Sequence, residues 1–115
     1  MRRGDIWYAD LEPAQGSEAN KRRPVVIVSN DGANTRATDL RRGVLTVVPL
    51  TSSVAHVYPF QVILPPEATG LDRVSKAQAE QVRAVDVSRL RRQVGRLDSE
   101  RLAQVDAALR LHLAL

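Results

Sequence analysis

Short runs of apolar residues occupy most of the chain, and each run is bounded by residues that favour turns. From Asp5 to Leu11 apolar and polar positions roughly alternate, which predicts a half-buried first strand. Pro24 to Ser29 is a continuous, mostly β-branched run, the pattern of a strand covered on both faces. Val44 to Leu50 and Tyr58 to Leu64 are also apolar and bounded by turn residues, so they are predicted as the third and fourth strands.

The segments between these strands and the end of the chain have weaker patterns. Residues 32–42 are polar and predict an exposed loop with one helical turn. Val74 to Arg83 matches neither the strand nor the helix period cleanly, and we predict a fifth strand there. Asp86 to Leu90 predicts a single helical turn, and Gln93 to Leu97 predicts a last short strand.

The spacing of apolar residues becomes helical after Leu97. Asp98 or Ser99 can cap a helix, and Glu100 falls in the first turn, where an acidic side chain interacts favourably with the helix dipole. Several short strands and one terminal helix predict a mainly β, α+β domain spanning residues 1–115, with a small curled sheet or barrel packed against the helix. The apolar stripe of the helix consists of Leu102, Val105, Leu109 and Leu113.

The composition is that of an ordinary globular domain and adds two constraints on function. Hydrophobic residues make up 43% of the 115 positions and charged residues 26%. No apolar run follows Met1 to Asp5 and no stretch is long enough to span a bilayer, so we expect a cytoplasmic protein with no membrane partner. The net charge of +4 favours a polyanionic partner such as nucleic acid.

The residues that the chain lacks narrow the chemistry it can perform. It contains no cysteine, which excludes disulfides, thiolate nucleophiles and thiolate metal sites. The acidic residues are scattered singly, and His56 and His112 are far apart in the sequence. We therefore expect neither a metal nor another cofactor, and no pair of histidines acting as acid and base.

A polar loop from Gly16 to Arg23 precedes the buried second strand. Pro24 fixes its own φ and biases Arg23 towards extended geometry, so the Arg23 guanidinium is presented at the entrance of the strand. A guanidinium is planar, permanently charged and well suited to binding phosphate. Taken alone, the segment also fits a solvated basic turn, which is the commoner case for a block of charge.

One reaction is compatible with all of these restrictions. RNA carries its own nucleophile, the 2′-OH, so cleavage requires only alignment of that hydroxyl with the adjacent phosphate and cationic donors that stabilise the developing charge. Arg23 can supply the positive charge, and a nearby threonine can orient the phosphate. Arginine is a poor proton shuttle, so the identities of the general acid and the general base remain open.

Several short motifs, taken in order, resemble the MazF/PemK toxin family. Each motif is weak alone, but the order and spacing together are specific and extend over nearly the whole chain. The motifs are Arg3-Gly4-Asp5-Ile6-Trp7, then Leu11, Pro13 and Gly16-Ser17-Glu18, then Arg23 to Asp31, Val48 to Ser52, and Glu80 to Arg83.

The resemblance implies an SH3-like small barrel with a carboxy-terminal helix. It implies a toxin of a toxin–antitoxin pair, an endoribonuclease that cuts single-stranded RNA at short sequences without a metal and leaves 2′,3′-cyclic phosphate and 5′-OH ends. It further implies a homodimer with RNA along a groove at its interface, and a cognate MazE-like antitoxin whose acidic, disordered segment covers that groove.

The resemblance also implies roles for particular residues. Arg23 and Thr51 correspond to the catalytic pair. Where the family often has glycines in this loop, this chain has alanine, asparagine, lysine and arginine at 19–22. The two added positive charges, Lys21 and Arg22, predict unusually strong attraction of phosphate by the loop. The further residues expected to bind RNA are Ser17 and Glu18 in the mobile loop, Ser52 and Ser53 after the third strand, and Ser75, Glu80 and Gln81 at base-contacting positions.

Two other functions are compatible with such a fold. Toxins that poison DNA gyrase share it, but they depend on a tryptophan near the carboxy terminus, whereas the single tryptophan here is Trp7. A barrel that binds nucleic acid without cutting it would need stacking aromatic residues, and aromatic residues make up only 3% of the chain. Both alternatives are therefore less favoured than RNA cleavage.

Overall fold

The computed structural model describes residues 1–115 and contains seven strands and three helices. Two 3₁₀ turns, Ala79–Gln81 and Val87–Arg89, interrupt the later strands. The strands are β1 Asp5–Asp10, β2 Arg22–Ile27, β3 Val44–Thr51, β4 Gln61–Leu64, β5 Ser75–Gln78, β6 Arg83–Asp86 and β7 Leu90–Arg96, and the helices are α1 Asp31–Leu40, α2 Pro66–Thr69 and α3 Ser99–Leu113. The prediction of an α+β fold with a terminal helix is confirmed.

All strand pairs are antiparallel, and the sheet order is β4-β5-β3-β2-β1-β7 with β6 also paired to β3. One side of β3 pairs with β2. The other side pairs first with β6 and then with β5, so the long strand joins two parts of the sheet. This sharing of β3 produces the curled sheet expected from many short strands.

Both faces of the central strand β2 are covered, as the continuous β-branched run predicted. Val26 belongs to one buried cluster together with Val105 of α3. Val25 and Ile27 belong to a second cluster, on the opposite face, together with Ala37 of α1. Alternate residues of a strand point to opposite faces, so one short run of valines and isoleucine supplies both cores.

The prediction of an exposed loop with one helical turn at residues 32–42 was wrong, because Asp31–Leu40 form the ten-residue helix α1. The Asn30 side chain caps the helix by accepting a hydrogen bond from the Ala33 backbone N–H at 2.9 Å. Asn34 is fully buried and donates from Nδ2 to the Ser29 carbonyl at 2.8 Å. Small polar residues favour turns locally, and here capping and docking against the sheet stabilise a helix instead.

Two strand boundaries also differ from the prediction. The fourth strand begins at Gln61 rather than Tyr58. The segment predicted as a fifth strand forms β5 and the start of β6, which both run along the same side of β3 and are separated by the Ala79–Gln81 turn. The helical turn before β7 and the strand around Gln93 are confirmed.

The terminal helix begins and packs as predicted. The Asp98 carboxylate caps it by accepting from the Arg101 backbone N–H at 2.8 Å, and Val105 is fully buried. Leu102 and Leu109 pack against the same core, whereas Leu113 is exposed. None of the helices is both long enough and apolar enough to cross a bilayer.

Candidate active site

A cavity of about 320 Å³ opens where β2 begins and β3 ends. In the antiparallel register Val25 faces Pro49, so continuing that register by two residues brings Arg23 opposite Thr51. Both side chains line the cavity. The full lining consists of Tyr8, Arg22, Arg23, Pro24, Leu50, Thr51, Ser52, Leu71, Asp72, Arg73 and Ser75.

The loop backbone orients the Arg23 guanidinium. Arg23 Nε donates to the Asn20 carbonyl at 2.9 Å, and Nη2 donates to Asn20 Oδ1 at 3.2 Å. The three ion pairs of the protein are Arg3–Asp106, Arg91–Asp10 and Arg96–Asp5, so no carboxylate neutralises Arg23. Asn20 therefore holds one edge of the guanidinium and leaves Nη1 and the full positive charge for a ligand in the cavity.

Hydroxyl groups form the opposite wall of the cavity. Thr51 Oγ1 accepts a hydrogen bond from the Ser53 backbone N–H at 3.2 Å, so its proton is free to be donated. Thr51 faces Lys76 across β3 and β5, and the next pair in that register brings Ser52 opposite Ser75. A phosphate in this cavity would therefore meet one fixed guanidinium and several hydroxyl donors.

The loop that carries Asn20 is itself attached to the sheet. Gln81 Oε1 accepts from the Ala19 backbone N–H, and Gln81 Nε2 donates to the Ser17 carbonyl, both at 2.9 Å. The Ala19 side chain is buried in the core. The Leu11 backbone N–H also donates to the Lys21 carbonyl at 2.9 Å, so the loop is fastened at both sides of Asn20.

Comparison with known proteins identifies the family. The sequence model of one protein family, the PemK-like, MazF-like toxins of type II toxin–antitoxin systems, matches residues 2–113. The chain belongs to the PemK/MazF toxin family. The resemblance found in its motifs is thereby confirmed.

Several relatives match the PemK/MazF-like chain over its whole length. It is 60% identical over 115 residues to endoribonuclease MazF9 of Mycobacterium tuberculosis, covering 98% of that protein. It is 34% identical over 116 residues to endoribonuclease EndoA of Bacillus subtilis, covering 96% of it. Among solved structures, MazF from Deinococcus radiodurans superposes with a TM-score of 0.82 at 28% identity, with 100% of this chain and 97% of that chain covered. A MazE–MazF complex from the same organism matches at a TM-score of 0.74 and 25% identity, with 100% and 96% covered.

The structure brings five of the ten predicted site residues of this PemK/MazF-like toxin into the cavity. These five are Arg22, Arg23, Thr51, Ser52 and Ser75. The other five lie outside it: Ser17 and Glu18 are exposed in the loop, Ser53 lies beyond Thr51, and Glu80 and Gln81 belong to the 3₁₀ turn. Their predicted contacts with RNA stay predictions.

Glu80 and Gln81 already have partners within the protein. Glu80 Oε2 accepts from Gln61 Nε2 at 2.7 Å, while its Oε1 is buried without a hydrogen-bond partner. Both ends of the Gln81 amide are bonded to the loop. Gln81 therefore acts on the cavity in this structure through the loop that positions Arg23.

Replacing Gln81 with alanine should release the loop. Two hydrogen bonds of about 1 kcal/mol each are lost, so we expect limited trypsin digestion after Lys21 and Arg22 to become about 30-fold faster. The matched control is Gln78→Ala, since Gln78 lies on β5 and makes no side-chain bond to the loop. Equal cleavage rates in the two variants would show that Gln81 does not restrain the loop.

The sequence interpretation missed four residues around the site. Tyr8 lies opposite Pro24 across β1 and β2, Asp72 and Arg73 follow α2, and Asn20 holds Arg23. Asp72 is the one carboxylate in the cavity lining. Only the pairing of β1 with β2 places Tyr8 in the site, and residues 70–73 carried no chemical signal in the sequence.

Asp10 lies next to the site, since it pairs with Arg22 across β1 and β2. The backbone N–H of Glu12 lowers the pKa of Asp10 below its usual value, and the nearby guanidiniums of Arg91 and Arg22 act in the same direction. Asp10 is therefore anionic at neutral pH. Within the cavity itself three arginines face one aspartate, which leaves it positively charged.

Proposed function

We propose that the protein is a toxin endoribonuclease that cleaves single-stranded RNA by attack of a 2′-OH on the adjacent phosphate. The observation that carries this proposal is the meeting of an unneutralised Arg23 with the Thr51 hydroxyl in one cavity. The new bond joins the 2′-oxygen to phosphorus, and the bond from phosphorus to the 5′-oxygen breaks. The 2′-oxygen loses its proton and the departing 5′-oxygen gains one, so the products are a 2′,3′-cyclic phosphate and a 5′-OH.

The site residues act on the charge that develops on the phosphate. In the transition state negative charge accumulates on the non-bridging oxygens, where Arg23 and the Thr51 hydroxyl donate hydrogen bonds. Asn20 holds the guanidinium before substrate arrives, so no reorganisation is needed during the reaction. DNA lacks the 2′-OH and therefore supplies no nucleophile.

We infer that the active unit is a homodimer. The chain exposes apolar side chains near the end of α3, on β4 and in the segment before β4, and the rings of Phe60 and His112 lie 5.7 Å apart where α3 meets that segment. A monomer would leave this surface in water, whereas a second copy would cover it. The exposed residues are Tyr58, Ile63, Leu111, Leu113 and Leu115.

We also infer a cognate MazE-like antitoxin as partner. The MazE–MazF complex from Deinococcus radiodurans is a complex of a structural relative with its antitoxin. The positive cavity of this chain suits an acidic segment, since carboxylates form bidentate hydrogen bonds with arginine.

The experiment that tests the proposal is incubation of the purified protein in excess chelator with a long single-stranded RNA and with the same sequence as DNA. We expect cutting of the RNA alone, cyclic phosphate ends on the mapped fragments, and a dimer in sedimentation velocity of the same sample. Intact RNA across many sequences, with growth still arrested on expression, would instead support a toxin that binds its target without cutting it. A monomer that cuts RNA would overturn only the dimer.

A further inference from the structure

A second cavity of about 340 Å³ lies beside the first. Its lining consists of Tyr8, Arg22, Arg91 and Arg92, so the two cavities share Tyr8 and Arg22. We call these four residues the arginine track. A chain molecule bound at Arg23 can therefore pass over Tyr8 into a second positively charged depression without leaving the protein surface.

A β-bulge creates this arrangement of arginines. Tyr8 pairs with Arg92 and Ala9 pairs with Leu90, so Arg91 has no partner on β1. Successive residues of a regular strand point to opposite faces, whereas a bulge turns one extra side chain to the same side. As a result Arg91 and Arg92 both line one cavity, and β7 is an edge strand that keeps them accessible.

The aromatic ring of Tyr8 fixes one of the guanidiniums. Arg92 Cζ lies 4.7 Å from the centroid of the Tyr8 ring, within the range of a cation–π interaction. The remaining charge is only weakly neutralised, because Arg91 Nη2 lies 3.4 Å from Asp10 Oδ2 and both side chains are solvent-accessible. The track contains three guanidiniums, and Asp10 is the anionic side chain beside them, so the surface keeps a net positive charge.

We call the cavity of Arg23 and Thr51 the cleavage cavity. We propose that the arginine track binds the phosphate backbone of the RNA that extends beyond the nucleotides held in the cleavage cavity. This inference rests on the proposed function, since it assigns a second part of the same substrate. A positively charged groove that follows the phosphate backbone is a general feature of proteins that bind single-stranded nucleic acid. Its continuity with the cavity of Arg23 and Thr51 favours one RNA strand over a separate acidic ligand.

The test compares two RNAs centred on a mapped cleavage site, one of about 5 and one of about 12 nucleotides, each with a 2′-deoxy substitution at that site to prevent cutting. Replacing Arg91 and Arg92 together with alanine should weaken binding of the longer RNA about tenfold. It should also reduce the slope of log affinity against log salt concentration by the amount that one to two phosphate contacts contribute. Binding of the shorter RNA should stay unchanged. The matched control is Arg36→Ala with Arg42→Ala, since these exposed arginines line neither cavity.

A second variant is expected to strengthen RNA binding rather than weaken it. Asp10→Asn removes the neighbouring negative charge but keeps an oxygen that accepts from the Glu12 backbone N–H, a bond of 3.1 Å. We expect it to bind the longer RNA two- to threefold more tightly, by about 0.4 to 0.7 kcal/mol as the same ratio expressed in energy.

The possible results separate this inference from the proposed function. Equal binding of the longer RNA by the Arg91/Arg92 variant and its control would overturn the track while leaving cleavage intact. Normal RNA binding combined with lost inhibition by an acidic antitoxin segment would assign the track to a protein partner and overturn the RNA inference. Failure of the unmodified protein to cut any RNA would overturn the cleavage proposal. Binding of a long single-stranded RNA of arbitrary sequence by the Arg91/Arg92 variant and by its control would then decide whether the track holds RNA.

Discussion

Replacing Arg23 with alanine should lower the rate constant of RNA cleavage about a thousandfold. Arg23 is the guanidinium that Asn20 holds in place at the cleavage cavity, and no carboxylate neutralises it. Loss of one preorganised donor to a developing oxyanion costs a factor of about 10² to 10³ in other enzymes, and a charged donor lies at the upper end. Single-turnover cleavage at saturating enzyme measures this rate constant.

Two further variants distinguish catalysis from simple charge attraction. Arg36→Ala removes the same charge from an exposed face of α1 and should leave cleavage within about twofold of the unmodified protein. Arg23→Lys keeps the charge but cannot form the same two-point contact with Asn20, so it should recover only a small part of the rate. Full activity in Arg23→Ala would contradict the proposed site, whereas reduced affinity at a normal rate constant would limit Arg23 to binding.

Replacing Gly95 with alanine should lower the free energy of unfolding by about 3 kcal/mol and the melting temperature by about 10 °C. A Cβ built at Gly95 would lie 2.2 Å from the Thr69 carbonyl oxygen and 3.0 Å from its carbon. These are backbone atoms of α2, which cannot swing aside as a flexible side chain can. Either the helix or β7 must shift, and the Leu71–Arg73 wall of the cleavage cavity follows that helix.

Thermal and urea unfolding monitored by circular dichroism measure this effect. The matched control is Gly32→Ala in the first turn of α1, where the nearest atom to the added carbon is a side-chain oxygen of Asn30 at 3.3 Å. Alanine favours a helix interior over glycine by about 1 kcal/mol. The close contact with the Asn30 oxygen that caps α1 offsets part of this gain, so this variant should be neutral within about 1 kcal/mol. Similar melting temperatures for the two alanine variants would show that α2 does not press on β7 as the structure indicates.

The elements predicted well were those with a strong local signal. The β-branched run at β2 and the capped, periodic segment at α3 formed as predicted, because residue preference and burial agree there. The segment forming α1 was predicted as a loop, since its small polar residues have weak helix preference. Burial of Asn34 and Ala37 against the sheet, which no local pattern reveals, made it helical.

The candidate site was also only partly predicted from the sequence. Arg23 and Thr51 follow from the loop before the buried strand and from the family motifs, and the structure places both in one cavity. Asn20 accepts two hydrogen bonds from the Arg23 guanidinium, and Gln81 bonds the backbone of Ser17 and Ala19. Residue type alone revealed neither of these roles, although the family motifs predict that Gln81 contacts RNA. Tyr8 reaches the site only because β1 pairs with β2.

The sequence by itself determined the class of fold, the family and the residues that can carry the chemistry, because these depend on periodicity, caps and motif order. The tertiary structure decided which of those residues meet, how the loop is held, and where the positive surface continues past the cleavage cavity. Local preferences act over a few residues along the chain. The pairing of β1 with β7, the bulge at Arg91 and the contact of α2 with Gly95 join residues dozens of positions apart, and only the folded packing specifies them.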